Sequence, residues 1–225
     1  MATHIIISDV HLGSPHCRRG VFRSFLERLP PDAELILAGD TIDDPTHELP
    51  TEDLSLLERL YAMAAHRPVT FILGNHDEGW RPGVEHVAVC RKKTVGGTVH
   101  VAHGDDFDNL MPRSQWFIVL FRRFHRLRMR LGARPVHVAH YAKKWGALYR
   151  LLRRCVMSNA VQYARENGMG ATVCGHVHFA EHTRMDGVDY FNTGSWTENQ
   201  FYCVVVDQGG PRLEEFKPEA PSCRL

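Results

Sequence analysis

The chain has 225 residues, 27 of them Lys or Arg and 26 Asp or Glu, with 44 % hydrophobic and 24 % charged side chains. That is the profile of a globular protein with a sizeable core, and it excludes disorder, collagen-like repeats and coiled coil. The longest aliphatic and aromatic run, Trp116–Phe121, is six residues, against the ~20 a membrane-spanning helix needs.

In chain order, Ile5–Ile7 reads as a buried strand, Val21–Leu29 as a helix and Leu35–Ala38 as a second strand. A helix over Leu54–Ala65 and a third strand, Val69–Leu73, complete a βαβαβ opening that predicts a sheet with helices against it. Strands follow at Val84–Val89 and, after Gly96-Gly97, at Thr98–Ala102; a helical pattern then runs from about Ser114 to Asn167, broken near Gly132–Pro135. The last third returns to strands at Ala171–Cys174, at Thr183–Met185 and Val188–Phe191 around an Asp186-Gly187 turn, and at Tyr202–Val206. The whole reads as one α/β domain, residues 1–225, with a helical insertion over 109–167. No leader pattern is visible at the start. The six cysteines lack any C-x-x-C pair, which suits reduced thiols in the cytoplasm.

Five apolar strands run directly into polar clusters: Ser8-Asp9-Val10-His11, Gly39-Asp40-Thr41-Ile42-Asp43, Gly74-Asn75-His76-Asp77, His103-Gly104-Asp105 and Gly175-His176-Val177-His178. Ligand sites of α/β sheets lie at the carboxyl ends of strands, so five such endings can converge on one crevice. Asp9 and His11, like His176 and His178, are two residues apart, a spacing that in extended backbone points both side chains the same way. The collected donors Asp9, His11, Asp40, Asn75, His103, His176 and His178 are oxygen and nitrogen without thiolate. Such a set suits manganese, iron or zinc over a structural zinc or calcium site. Seven donors exceed one tetrahedral ion and fit two ions sharing a carboxylate.

D-x-H, G-D-x-x-D, G-N-H-D, H-G-D and G-H-x-H in this order resemble the calcineurin-like metallophosphoesterase family. The resemblance implies an α/β metallophosphoesterase fold, two packed mixed β-sheets flanked by helices. It implies two divalent metal ions, manganese first with iron or zinc as alternatives. One would be held by Asp9, His11, Asp40 and His178, the second by Asp40, Asn75, His103 and His176. It also implies a phosphoester hydrolase in which the ions polarise phosphoryl oxygens and acidify a water. His76 would then donate to the leaving oxygen or the phosphoryl group, with Asp77 orienting it. Asn75 and His76 would both touch substrate.

The insertion bears on which phosphoester. Between Asn109 and Arg165 there are 13 Lys and Arg and no acidic side chain, whereas the remaining residues hold 14 basic and 26 acidic ones. Trp116, Phe117, Leu120, Phe121, Phe124, Leu127 and Leu131 fall on one helical face, with Arg122, Arg123, Arg126 and Arg130 mainly on the other. Such a stretch suits contact with the inner membrane surface, or an ordinary core-facing helix with solvated arginines. The aromatics do not interleave as a nucleic-acid stacking platform would, so no nucleic acid is expected. The insertion, with Lys143 and Lys144 as substrate-binding candidates, and the segment Asn192–Glu198 are similar to the UDP-2,3-diacylglucosamine pyrophosphatase branch. That likeness implies a nucleotide-linked lipid cleaved to lipid phosphate and UMP in lipid A synthesis. The alternatives are a phosphatase or phosphodiesterase acting on a soluble phosphoester or nucleotide, and a non-catalytic scaffold on the same fold.

Overall fold

The computed structural model describes residues 2–110 and 146–218. The basic amphipathic face at Trp116–Leu131, together with Lys143 and Lys144, lies outside them. Eleven strands form two mixed sheets among the described residues. The first contains β1 (His4–Ile7), β2 (Glu34–Ala38), β3 (Val69–Ile72), β4 (Ala88–Cys90), β10 (Phe201–Asp207) and β11 (Gly210–Phe216), in the order β11-β10-β1-β2-β3-β4. The second contains β5 (Lys92–Val95), β6 (Val99–Ala102), β7 (Ala171–Cys174), β8 (Glu181–Met185) and β9 (Val188–Asn192), in the order β5-β6-β7-β9-β8. β1, β2 and β3 pair in parallel, as do β6 and β7. The strands that carry the five polar clusters therefore end in two parallel sets.

Alternation along the strands sorts the core into layers. Ile5 and Ile7, Leu35 and Leu37, Val69 and Phe71 face α1 (Arg19–Arg28) and α2 (Thr51–Ala64), whose buried stripes are Phe22, Phe25, Leu26 and Leu56, Leu57, Leu60. The intervening Ile6, Ile36 and Ile72 meet Val99, Val101, Val173 and Phe191 of the second sheet. On that sheet's far face, Ala160, Val161 and Ala164 of α3 (Gly146–Glu166) pack on Cys174, Val188 and Tyr190. The result is a helix–sheet–sheet–helix sandwich. The last part of the stretch expected as an insertion, α3, is thus a layer of the body. Among the described residues no helix is long and apolar enough to cross a membrane.

Three stretches depart from the sequence expectation. Val84–Val89 is mostly turn, with the strand confined to Ala88–Cys90, because Gly83 and the polar pair Glu85-His86 interrupt pairing. The edge strands β5 and β11 were not expected: Lys92-Lys93-Thr94-Val95 and Gly210–Phe216 are rich in polar residues, as edges that face water on one side can be. The turn at Asp186-Gly187 is a two-residue hairpin with φ of 50° and 83°, the left-handed pair that such turns require.

Candidate dimetal centre

Five non-glycine residues at this end of the sheets have left-handed backbone: Asp9 (φ 56°), His11 (52°), Asp40 (51°), His176 (67°) and His178 (52°). Among the described residues the only other is Asp186 of the hairpin turn. L-residues adopt that conformation at a cost of about 1–3 kcal/mol each, and it persists only where the surroundings over-determine it. The ligand pairs are therefore not extended, as the two-residue spacing suggested. The chain leaves each strand in a tight turn that folds the side chains back over the strand ends. The turns lock to one another: the Asp9 N–H donates to Gly39 O at 3.0 Å, the His11 N–H to Asp40 O at 3.0 Å and the Gly175 N–H to His103 O at 2.8 Å.

The glycines of the motifs follow from this crowding. A Cβ on Gly39, itself at φ 92°, would lie 2.2 Å from His103 Nδ1, and one on Gly175 would lie 2.2 Å from Ser8 Oγ and 2.3 Å from Asp9 Oδ2. No side chain fits there.

The donors collect in overlapping groups. Ligand atoms of Asp9, His11 and His178 lie within 4.8 Å of one another, as do those of Asp9, Asp40 and His103, and those of His11, Asp43 and His76. Asp9 Oδ1 is 2.9 Å from His178 Nε2, while Asp40 Oδ2 is 3.3 Å from His103 Nε2 and 3.9 Å from His11 Nε2. The outer nitrogens fix the rings. His103 Nδ1 lies 3.0 Å from the Ala38 carbonyl and His11 Nδ1 lies 3.0 Å from Asp43 Oδ1, acceptors that place the Nδ1 protons outward and aim both Nε2 atoms at the carboxylates. Asp9 Oδ1 and His103 Nε2 are buried, each facing an ionisable partner, His178 and Asp40 respectively.

Burial should raise both carboxyl pKa values, yet the charge and hydrogen bond of His178 bring Asp9 down to about 2. Burial is likewise outweighed at Asp40, which His103 and His76 hold well below the usual carboxylate range. At His103, burial opposes protonation but Asp40 raises the ring well above the usual imidazole range; at His178, burial prevails and lowers it. Two buried, ionised carboxylates facing inward-aimed imidazoles fit divalent cations.

The remaining expected residues stand as follows. His76 lies at the rim, a quarter exposed, with Nδ1 2.9 Å from the Asp43 carbonyl and Nε2 4.0 Å from Asp40 Oδ2. Asp77 does not orient it, contrary to the sequence expectation. Its carboxylate accepts the N–H groups of Gly74 (2.7 Å) and Thr41 (2.8 Å), because a buried carboxylate among turn amides satisfies the turns. Burial, with Asp40 nearby, lifts the Asp77 pKa. Asp43 takes the orienting role instead. Asn75 Oδ1 lies 3.0 Å from His176 Nδ1, and His176 Nε2 lies 3.0 Å from Asp108 Oδ2, so Asn75 and His176 face each other, with the His176 ring 5.3 Å from that of His103.

Sequence reasoning gave no role to Asp43, Asp108, Ser8 or Thr193. Asp43 was visible as the last residue of G-D-x-x-D. Ser8 donates to Asp9 Oδ2 and lies 2.6 Å from Thr193 Oγ1, contacts that no local pattern announces.

A family model for the calcineurin-like phosphoesterase superfamily domain matches residues 3–207. The chain belongs to that superfamily. It is accordingly a metallophosphoesterase with a candidate His/Asp metal site. No curated protein matches it. Among solved structures this phosphoesterase is similar to a predicted phosphoesterase of Streptococcus pneumoniae TIGR4, at 14 % identity over 96 % of this chain and 98 % of that one, TM-score 0.46. It is similar to Vps29 of Entamoeba histolytica complexed with zinc, at 14 % identity over 95 % and 98 %, TM-score 0.48. It is also similar to the phosphoesterase YfcE of E. coli, at 15 % identity over 92 % and 88 %, TM-score 0.45.

Proposed function

We propose that this phosphoesterase hydrolyses a soluble phosphodiester or phosphomonoester with two divalent ions held among Asp9, His11, Asp40, Asn75, His103, His176 and His178. The observation that carries the reading is the convergence of five left-handed residues on one buried cluster of carboxylates and inward-aimed imidazoles. Bound ions there supply charge for the phosphoryl oxygens and a water acidic enough to attack near neutral pH. Asp9 and Asp40 keep that charge localised. Asp43 and the Ala38 carbonyl hold His11 and His103 in the binding tautomer. His76, anchored through Nδ1, presents Nε2 at the rim, where it binds a phosphoryl oxygen or hands the leaving oxygen a proton when the ring carries one.

The nucleotide-lipid reading draws on residues 109–167 and on Asn192–Glu198. Contacts of the latter segment support a bracing role for it: Asn192 Nδ2 donates to Gly175 O at 2.6 Å, Thr193 contacts Ser8, and Ser195 Oγ donates to Asp9 O at 3.3 Å. Those residues report the fold of the site more than the body of a substrate. Hence the soluble class is favoured.

The test compares bis(p-nitrophenyl) phosphate with UDP-2,3-diacylglucosamine, using Mn²⁺-loaded protein and an Asp40→Ala control. Hydrolysis of the aryl diester that Asp40→Ala lowers by about 10³-fold or more is expected, since uncompensated phosphoryl charge is the main barrier. Turnover of the lipid alone would return the substrate to the nucleotide-lipid class. Undiminished hydrolysis by Asp40→Ala would contradict the site.

A further inference from the structure

The G-H-x-H loop is gripped from two sides, and the second grip belongs to α3. On the strand side, Asn192 Nδ2 donates to Gly175 O at 2.6 Å and the Thr193 N–H to Cys174 O at 3.0 Å. On the helix side, the Tyr149 hydroxyl donates to the Val177 carbonyl at 2.8 Å. That carbonyl lies between the two candidate ligands. One turn further along α3, Arg153 lays its guanidinium 3.3 Å over the Phe179 ring and donates to both carboxylate oxygens of Glu181, at 2.6 and 3.3 Å. The Tyr149 ring also meets Phe179 edge-on, at 6.4 Å between centroids.

His176 and His178 both hold left-handed backbone with Val177 between them, and such backbone survives only where its surroundings leave no alternative. The hydrogen bond at Val177 and the clamp at Phe179–Glu181 add a constraint from α3. Resting on the reading of His176 and His178 as metal ligands, we propose that Tyr149 and Arg153 are positioning residues that set the metal affinity of the centre through the Val177 carbonyl and the Phe179–Glu181 clamp. Groups that orient metal ligands typically change metal affinity 10–100-fold when removed. A ligand set displaced by a fraction of an ångström loses its function even in an intact fold.

The opposite end of α3 offers a matched control. The Tyr163 hydroxyl lies 2.6 Å from Lys92 Nζ, far along the helix from the loop. Tyr149→Phe and Tyr163→Phe each remove one phenolic hydroxyl from the same helix and keep the ring. The experiment titrates metal-free protein with Mn²⁺ by calorimetry, with the thermal midpoint of the metal-free form recorded beside it. Tyr149→Phe is expected to raise the Mn²⁺ dissociation constant about tenfold, and Arg153→Met to raise it as well. Tyr163→Phe is expected to leave it unchanged, whatever either tyrosine variant does to the midpoint.

Equal Mn²⁺ affinity in the Tyr149→Phe, Tyr163→Phe and wild-type proteins would overturn the inference and make Tyr149 an ordinary packing residue. So would equal losses in both tyrosine variants. If Tyr149→Phe does not fold, Arg153→Met decides by the same comparison. A wild-type protein that binds no Mn²⁺ would overturn the metal-ligand reading itself, an outcome distinct from loss of the positioning role.

Discussion

Asp43 shows how a single carboxylate outside the ligand set can govern the centre. Its Oδ1 holds His11 Nδ1 at 3.0 Å while its backbone carbonyl holds His76 Nδ1 at 2.9 Å, so one residue orients a ligand and the rim imidazole. Asp43→Asn leaves a side chain whose amide group can face His11 with the wrong polarity. It should weaken Mn²⁺ binding by about 10–100-fold, as read by calorimetric titration; binding equal to wild type would remove Asp43 from this role. His100 is a separate case, outside the centre. It is buried, packed against Tyr163 with the rings tilted by 47° and 4.7 Å between centroids, and burial together with Lys92 pushes its pKa down to about 4 from 6.5. The unfolded chain therefore takes up a proton here before the folded one does, and stability falls as pH drops from about 6.5 towards 4. Thermal melts across that window should show a shallower acid loss in His100→Leu than in wild type. Parallel curves would show that His100 does not titrate on unfolding.

The loops after the strands were legible at the level of residue type but not of conformation. The clusters Asp9-Val10-His11 and His176-Val177-His178 are short and local, so a linear reading finds them. What it reads as extended spacing is instead a left-handed turn at both members of each pair, because the loops must double back over the strand ends. The same distinction explains the glycines. Gly175 looks like a turn residue in the sequence. In the structure the room for its missing Cβ is filled by Ser8 Oγ and Asp9 Oδ2, contributed from more than 160 residues away. Gly175→Ala should therefore displace Ser8 and Asp9, lowering stability by about 1–3 kcal/mol as overpacking does and weakening metal binding with it. Denaturant melts and Mn²⁺ titration of the same preparation check both; a loss of stability at unchanged affinity would mean that Asp9 is not moved. The edge strands β5 and β11 escaped the sequence for the opposite reason. Their polar composition answers to solvent on one face and carries little strand signal of its own.

At the scale of the molecule, two sheets sandwiched between helix layers bring the ends of β1, β2, β3, β6 and β7 to one crevice. The buried partners at the other end of the intersheet space are structural. Glu34 lies 2.8 Å from His4 Nδ1, accepts from Thr70 Oγ1 at 2.9 Å and pairs with Lys93, tying β1, β2, β3 and β5 together. The parallel βαβαβ opening and the strands carrying the clusters were legible because their apolar runs are buried on both faces and continuous. The partners of His76 and His176 were not, because Asp43 and Asp108 reach them only through the folded topology. The central claim is that the convergent carboxylates and imidazoles hold two ions. The most direct measurement is the Mn²⁺ stoichiometry of the purified protein, by titration of the metal-free form, beside Asp9→Ala and His103→Ala. Two ions per chain are expected for wild type, as in other two-metal phosphoester sites, with about one retained by His103→Ala and about one by Asp9→Ala. Wild-type stoichiometry and affinity in the Asp9→Ala protein would contradict the account.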